Sequence, residues 1–121
     1  MITLCRLLFN FSLKDSPNTI AFNLPLEGID ATGYKKMVVP MRFDSGEKHI
    51  VRLEVMNRFR EKGEVPVSGI NSKWQDFVVD VGKIPSLTDF KGMKGLKFYL
   101  DKWNVNSSKG KLYIGNVRFI K

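Results

Sequence analysis

Apolar and polar residues alternate with a period of two along most of the chain, the pattern of strands with one face turned to a core. Leu7, Phe9, Phe11 and Leu13 share one parity, with Arg6, Asn10 and Ser12 on the other, before Asp15-Ser16-Pro17-Asn18 supplies turn chemistry. Ile20, Phe22 and Leu24 restart the alternation over residues 18–24, and residues 26–34 read as a loop with Gly28 and Gly33. Met37, Val39, Met41 and Phe43 form the apolar face of a strand over 35–43, in which Pro40 predicts a bulge or an edge because it cannot donate to a ladder. Asp44-Ser45-Gly46-Glu47 predicts a hairpin into a strand over 49–57, with Val51, Leu53 and Val55 inward and Arg52, Glu54 and Met56 outward. A charged, mobile loop from Arg58 to Gly63 and a short strand over 64–70 follow. Trp74 then opens a strand that runs to Val81, with Phe77, Val79 and Val81 aligned. Ser86 to Phe90 predicts one helical turn capped by Ser86. Leu96, Phe98 and Leu100 mark the next strand, opposed by Lys97, Tyr99 and Asp101.

In the last strand Leu112 and Ile114 have one parity and Val117 and Phe119 the other, so a β-bulge at Gly115-Asn116 is needed to bring all four to one side. About eight short antiparallel strands at hairpin spacing predict an all-β sandwich or barrel. No segment is long and amphipathic enough for a substantial helix.

The 121 residues are room for one domain, taken as 1–121. No apolar run approaches the roughly 20 residues of a membrane span. Leu7-Leu8-Phe9 is followed by alternation and by no small-residue cleavage site, so it reads as a strand and not a signal peptide; a secreted origin requires a leader or a parent chain. The lone cysteine, Cys5, excludes an internal disulfide or a thiolate metal site and reads as an inert buried thiol. Net charge is +8, and residues 91–121 carry most of it, with eight Lys/Arg against Asp101 alone. Such a patch attracts nucleic acid, an anionic glycan or a membrane surface, or serves only to keep exposed strands soluble. Nucleic acid is not expected, since no aromatic RNP motif, zinc-finger spacing or helix-turn-helix pattern is present.

Catalytic signatures are lacking. The only histidine, His49, follows a turn and is expected on the surface. No nucleophile elbow, zincin motif or phosphate-binding loop occurs. A glycosidase needs two carboxyls about 5–10 Å apart across a cleft. Glu54 and Asp101 come near each other if their strands are neighbours, but beside Arg52 and Lys97 they read as a salt-bridged network.

Several segments carry a resemblance. They are Arg52-Leu53-Glu54, then Ile70-Asn71-Ser72-Lys73-Trp74-Gln75-Asp76-Phe77, Thr88-Asp89-Phe90 and Gly95-Leu96-Lys97-Phe98-Tyr99-Leu100, closing with Gly110-Lys111-Leu112-Tyr113-Ile114-Gly115-Asn116-Val117. Upstream, Gly28-Ile29-Asp30-Ala31-Thr32-Gly33-Tyr34 resembles the usual entry to the first central strand. Together they resemble the galactose-binding-like β-sandwich of carbohydrate-binding modules appended to bacterial glycoside hydrolases. The resemblance covers roughly residues 20–121 and implies a non-catalytic module recognising a polysaccharide or oligosaccharide on a concave sheet face. It also implies a glycoside hydrolase domain in the same system and an extracellular or cell-surface location, with the cytoplasm as the alternative. No cofactor is expected. The family's final-strand motif usually carries an acid that supports a structural calcium, and Gly115 and Asn116 stand in its place. The family's first strand is short or absent, as in an N-terminally abbreviated or excised module, and the sheet edge so exposed invites a second copy.

In the jelly-roll wiring, the strands at 18–24, 49–57, 64–70 and 94–101 form one sheet. Its outward residues are Asn23, Arg52, Glu54, Met56, Lys97, Tyr99 and Asp101, with Asn57 and Trp103 at the strand ends. A sugar presents an apolar C–H face and a rim of hydroxyls, so its site needs a flat aromatic and planar polar groups, which this set contains. Trp74 reads as a cap on the end of the core. The other function class that fits is a structural or protein-interaction sandwich with no sugar site.

Overall fold

A computed structural model describes residues 2–3, 7–12, 18–105 and 109–121. Cys5 and the turn at 15–17 lie outside the described residues. Among the described residues, ten strands form two antiparallel sheets. The larger holds β1 (Ile2–Thr3), β2 (Leu7–Ser12), β4 (Lys36–Phe43), β7 (Gln75–Asp80), β9 (Lys109–Ile114) and β10 (Arg118–Ile120). The smaller is ordered β3 (Thr19–Ile29), β8 (Met93–Asp101), β5 (His49–Asn57), β6 (Lys62–Ile70). Its strands are those expected to form the candidate face.

The alternation decides which side of each sheet faces inward. Met37, Val39, Met41 and Phe43 of β4 meet Val51, Leu53 and Val55 of β5 and Leu96, Phe98 and Leu100 of β8 in one buried core. Aromatic contacts join the layers: Phe9 of β2 stacks on Phe22 of β3 with centroids 4.2 Å apart.

The irregular closing strand is resolved as foreseen, and more fully. Leu112, Ile114, Val117 and Phe119 all lie in the core. Residues 115–117 separate β9 from β10, and both pair with the same side of β4. Pro40 sits at that break. Its carbonyl accepts from Gly115 N–H at 2.8 Å, so its missing donor falls where the ladder is already interrupted.

Three expectations are corrected. Strand β3 continues to Ile29 through a register shift after Pro25, because Leu26 still finds core to bury in. The helical turn is a single 3-10 turn at Val81–Lys83 and not at 86–90. There the Glu61 carboxylate takes both Thr88 N–H (2.9 Å) and Thr88 Oγ1–H (2.8 Å), which fixes that segment as a strap. His49 is fully buried, its Nε2 2.8 Å from the Ser45 carbonyl and its ring 4.0 Å from that of Phe43.

The turn around His49 yields a test. Gly46 and Gly33 both have positive φ (+89° and +81°), but a Cβ on Gly46 would collide with the His49 imidazole, whereas one on Gly33 meets nothing. Gly33→Ala should cost about 1–2 kcal/mol for the backbone conformation alone. Gly46→Ala should cost clearly more, as read from urea unfolding midpoints; equal costs would contradict the described packing.

Candidate functional site

The outer face of the four-stranded sheet is organised in cross-strand rows. One row is Ala21, Tyr99, Arg52 and Pro66; the next is Asn23, Lys97, Glu54 and Glu64. Pairing therefore brings Asn23, Arg52, Glu54, Lys97 and Tyr99 together, and adds Glu64, which the sequence reading omitted. The parity of β6 already pointed Glu64 outward, opposite Glu54.

Arg52 and Tyr99 form the centre. The guanidinium carbon lies 4.7 Å from the Tyr99 ring centroid, a cation–π stack. Asp101 fixes the guanidinium: Arg52 Nε donates to Oδ2 at 2.6 Å and Nη2 to Oδ1 at 3.0 Å. Thr19 Oγ1 (2.6 Å) and Asn104 Nδ2 (3.3 Å) also donate to this carboxylate, which has no exposed surface. Arg52 Nη1 reaches on to Glu64 Oε1 at 3.0 Å. Tyr99 donates its hydroxyl to Glu54 Oε2 at 3.1 Å, while Glu54 Oε1 is enclosed with no partner among the described residues. On the other side, the neighbour of Tyr99 is Ala21, whose methyl leaves the ring low-walled.

The electrostatics follow from these bonds. Burial works to raise the Asp101 pKa, but the hydrogen bonds from Arg52 and Thr19 and the guanidinium charge outweigh it and hold the carboxyl below its ordinary value. Arg52 is pushed further up, chiefly by its hydrogen bond to Asp101. Burial raises the Tyr99 pKa, and the charge and hydrogen bond of Glu54 add to it, so the phenol keeps its proton and acts as a donor. A general acid needs a raised carboxyl pKa and access to substrate, and Asp101 has neither.

Two expected ligand residues take other roles. Asp101 is enclosed and acts by positioning Arg52. Asn57 is also fully buried. Its Oδ1 accepts from Phe59 N–H and Glu61 N–H, both at 3.0 Å, and its Nδ2 donates to Glu61 Oε1 (2.6 Å) and to the Asp89 carbonyl (3.1 Å). The hairpin after β5, expected to be mobile, is therefore braced. It holds up Phe59, 61% exposed, with Arg58 stacked 4.7 Å from its ring. Trp103, 69% exposed, stands beyond Asp101 at the opposite end of the sheet, in a turn closed by Asn104 N–H to the Asp101 carbonyl.

Trp74 does not cap the core. It is half exposed, beside Tyr113 on the outer face of the six-stranded sheet. Nearby, the position that the resemblance assigns to a calcium-supporting acid is Gly115-Asn116. Asp76 is held by Arg118 Nη2 at 3.0 Å, and that guanidinium opposes a cation, so these residues do not suit calcium. Among the described residues no cluster of His, Cys, Asp and Glu has the makings of a metal site, and no helix is long and apolar enough to cross a membrane.

Comparison with solved structures gives matches over nearly the whole chain. A carbohydrate-binding module described as CBM28, specific for non-crystalline cellulose, aligns at TM-score 0.66 and 13% identity, covering 94% of this chain and 73% of that one. The family 11 carbohydrate-binding module of the cellulosomal cellulase Lic26A-Cel5E of Clostridium thermocellum aligns at TM-score 0.53 and 9% identity, covering 97% and 88%. A part of PfGH50B aligns at TM-score 0.66 and 8% identity, covering 93% of this chain and 20% of that one. No family model and no curated protein sequence matches. The chain thus has the β-sandwich fold found in carbohydrate-binding modules.

The Asp101 pair makes a pH-dependent contribution to stability. A carboxyl whose pKa is lowered on folding stabilises the fold fully above its unfolded value, about 3.9, and the contribution is lost as pH falls through the folded value. Asp101→Asn should cost about 1.5–3 kcal/mol at neutral pH and flatten the acid limb of stability against pH. Urea unfolding between pH 2 and 7 checks this; an unchanged acid limb would contradict it.

Proposed function

We propose that this chain is a non-catalytic carbohydrate-binding module whose ligand, a polysaccharide or oligosaccharide, lies on the outer face of the four-stranded sheet. The observation that carries the reading is the Arg52–Tyr99 stack locked from the end of the strand by buried Asp101. Holding a flat guanidinium and a phenol in place before binding removes most of the side-chain entropy that a ligand would otherwise have to offset. The C–H face of a sugar ring packs on the aromatic side facing Ala21. Hydroxyls bond to Asn23, Lys97 and Glu64. Charges on the face are mixed, with Arg52 and Lys97 beside Glu54 and Glu64, which favours a neutral polyhydroxylated ligand over a polyion. The fold of the CBM28 and family 11 modules supports this reading, and Trp103 at one end offers a further stacking surface. A place in a secreted polysaccharide-degrading system, beside a glycoside hydrolase domain, belongs to the same proposal.

A second reading, a face that docks another protein, draws on exposed Trp103 and Phe59 as anchors. Affinity electrophoresis on β-glucan, xylan, mannan and uronate polymers separates the two. The saccharide reading expects retardation on at least one polymer, little changed by salt. Tyr99→Ala should weaken it about tenfold or more with the unfolding midpoint nearly unchanged. For the guanidinium, Arg52→Lys is the informative variant, because it keeps the positive charge beside Asp101 but loses the planar fork. Arg52→Ala would leave a buried carboxylate unpaired and confound binding with stability. Retardation on none of the polymers would reject the proposal.

A further inference from the structure

The opposite face of the sandwich carries a second constellation that the proposed site does not use. Because β9 and β10 both run along one side of β4 with residues 115–117 between them, the six-stranded sheet is interrupted beside Pro40. A surface cavity of about 230 Å³ opens there, lined by Pro40, Trp74, Gly115, Asn116 and Arg118. The indole of Trp74 is seated, not merely exposed. A Cβ on Gly115 would lie 2.8 Å from Pro40 Cβ, so the bare glycine is what lets the chain pass this close to Pro40, and the Trp74 ring packs over the same spot, with Cζ3 3.4 Å from where that Cβ would be. Tyr113 meets the indole edge-on, with centroids 6.4 Å apart and planes at 68°. Arg42 lies 4.2 Å from the Tyr113 centroid and 5.8 Å from that of Trp74, and its Nη1 is tied to the Phe43 and Ser72 carbonyls at 3.3 and 3.2 Å.

The polar half of this cavity is basic. Arg118 gives only Nη2 to Asp76, and its Nε is enclosed with no partner among the described residues. Asn116 is exposed and contributes an amide. Arg42 adds a second guanidinium and Lys111 extends the charge along β9, while Asp80 on the same face is taken by Lys36. The face across the sandwich has its cations matched by Glu54 and Glu64, so the two differ in sign as well as in aromatic content.

We infer that the Trp74–Asn116–Arg118 cavity is a second saccharide site, independent of the first, and that it takes a single acidic sugar residue. The indole supplies the stacking surface for a pyranose ring. A partly exposed guanidinium next to an amide suits the planar or tetrahedral oxyanion of a carboxylate or sulfate ester on that ring. The small volume matches one ring and not a chain laid along a groove.

The test uses the full chain with Trp103→Phe, which leaves Trp74 as the only indole. Its fluorescence is titrated with oligogalacturonate, with a sulfated galactan oligosaccharide and with a neutral cello-oligosaccharide. A saturable response to an anionic sugar is expected, several-fold weaker between low and moderate salt because the contact charges are solvent-accessible. A response to oligogalacturonate alone or to the sulfated sugar alone would support the proposal and assign the anion. Arg118→Gln should weaken it about tenfold. Asn116→Ala, at an exposed position, should weaken it measurably without touching the fold. The proposal is overturned if neither anionic sugar binds or if the neutral sugar binds equally well. It is also overturned if Arg118→Gln and Asn116→Ala both leave affinity unchanged, or if binding disappears with Tyr99→Ala on the other face.

Discussion

A carboxylate with no exposed surface must be both neutralised and hydrogen-bonded, and in this sandwich that requirement falls on Asp101 at the end of a central strand. Its solution is a bidentate bond from Arg52, supplemented by Thr19 from the neighbouring strand and Asn104 from the following turn. One group thereby ties together β3, β5, β8 and the turn bearing Trp103. Because the guanidinium is planar and held at two points, it has little freedom left, and Tyr99 can stack against it. The geometry of the face is thus a consequence of how a buried charge is accommodated at its end. A pair of this kind adds little to net stability compared with apolar packing, and its value lies in fixing one arrangement. On a binding face, one fixed arrangement is what lowers the entropic cost of holding a ligand.

Much of this was legible in residue parity. The jelly-roll wiring placed four strands in one sheet, and the strict alternation of β5 and β8 assigned its outward residues. The parity break between Ile114 and Val117 gave the interruption of the closing strand, though not the separation of β9 from β10. Where the reading failed, parity was often right and expectation about residue type was wrong. His49 and Asn57 share the parity of Val51, Leu53 and Val55, and both are buried. Trp74 shares the parity of Asp76 and Val78, and it faces out with them. The burial of Asp101 was not legible in this way. Its parity is that of Tyr99, and it is enclosed because Thr19 and Arg52 converge on it from distant parts of the chain and Asn104 from the turn that follows. Nor could alternation reveal the extension of β3, since the register shift after Pro25 removes the periodicity on which it depends.

The two sheets share one core and differ outside it. The four-stranded face is nearly charge-balanced and centres on a braced Arg–Tyr stack. The six-stranded face is basic and centres on a seated tryptophan beside an interrupted ladder. Neither feature is required by the β-sandwich fold, which is preserved at about a tenth sequence identity in the compared modules. Function in such a fold resides in the groups its faces present.

The central claim is that the Arg52–Tyr99 face is a preformed saccharide platform. Amide chemical-shift mapping with a neutral oligosaccharide from whichever polymer retards the chain tests it most directly. Shifts are expected to concentrate in β5 and β8 around Arg52, Glu54, Lys97 and Tyr99, with the amides of β4, β7 and β10 unmoved. Shifts confined to the loops or to the six-stranded sheet would contradict it.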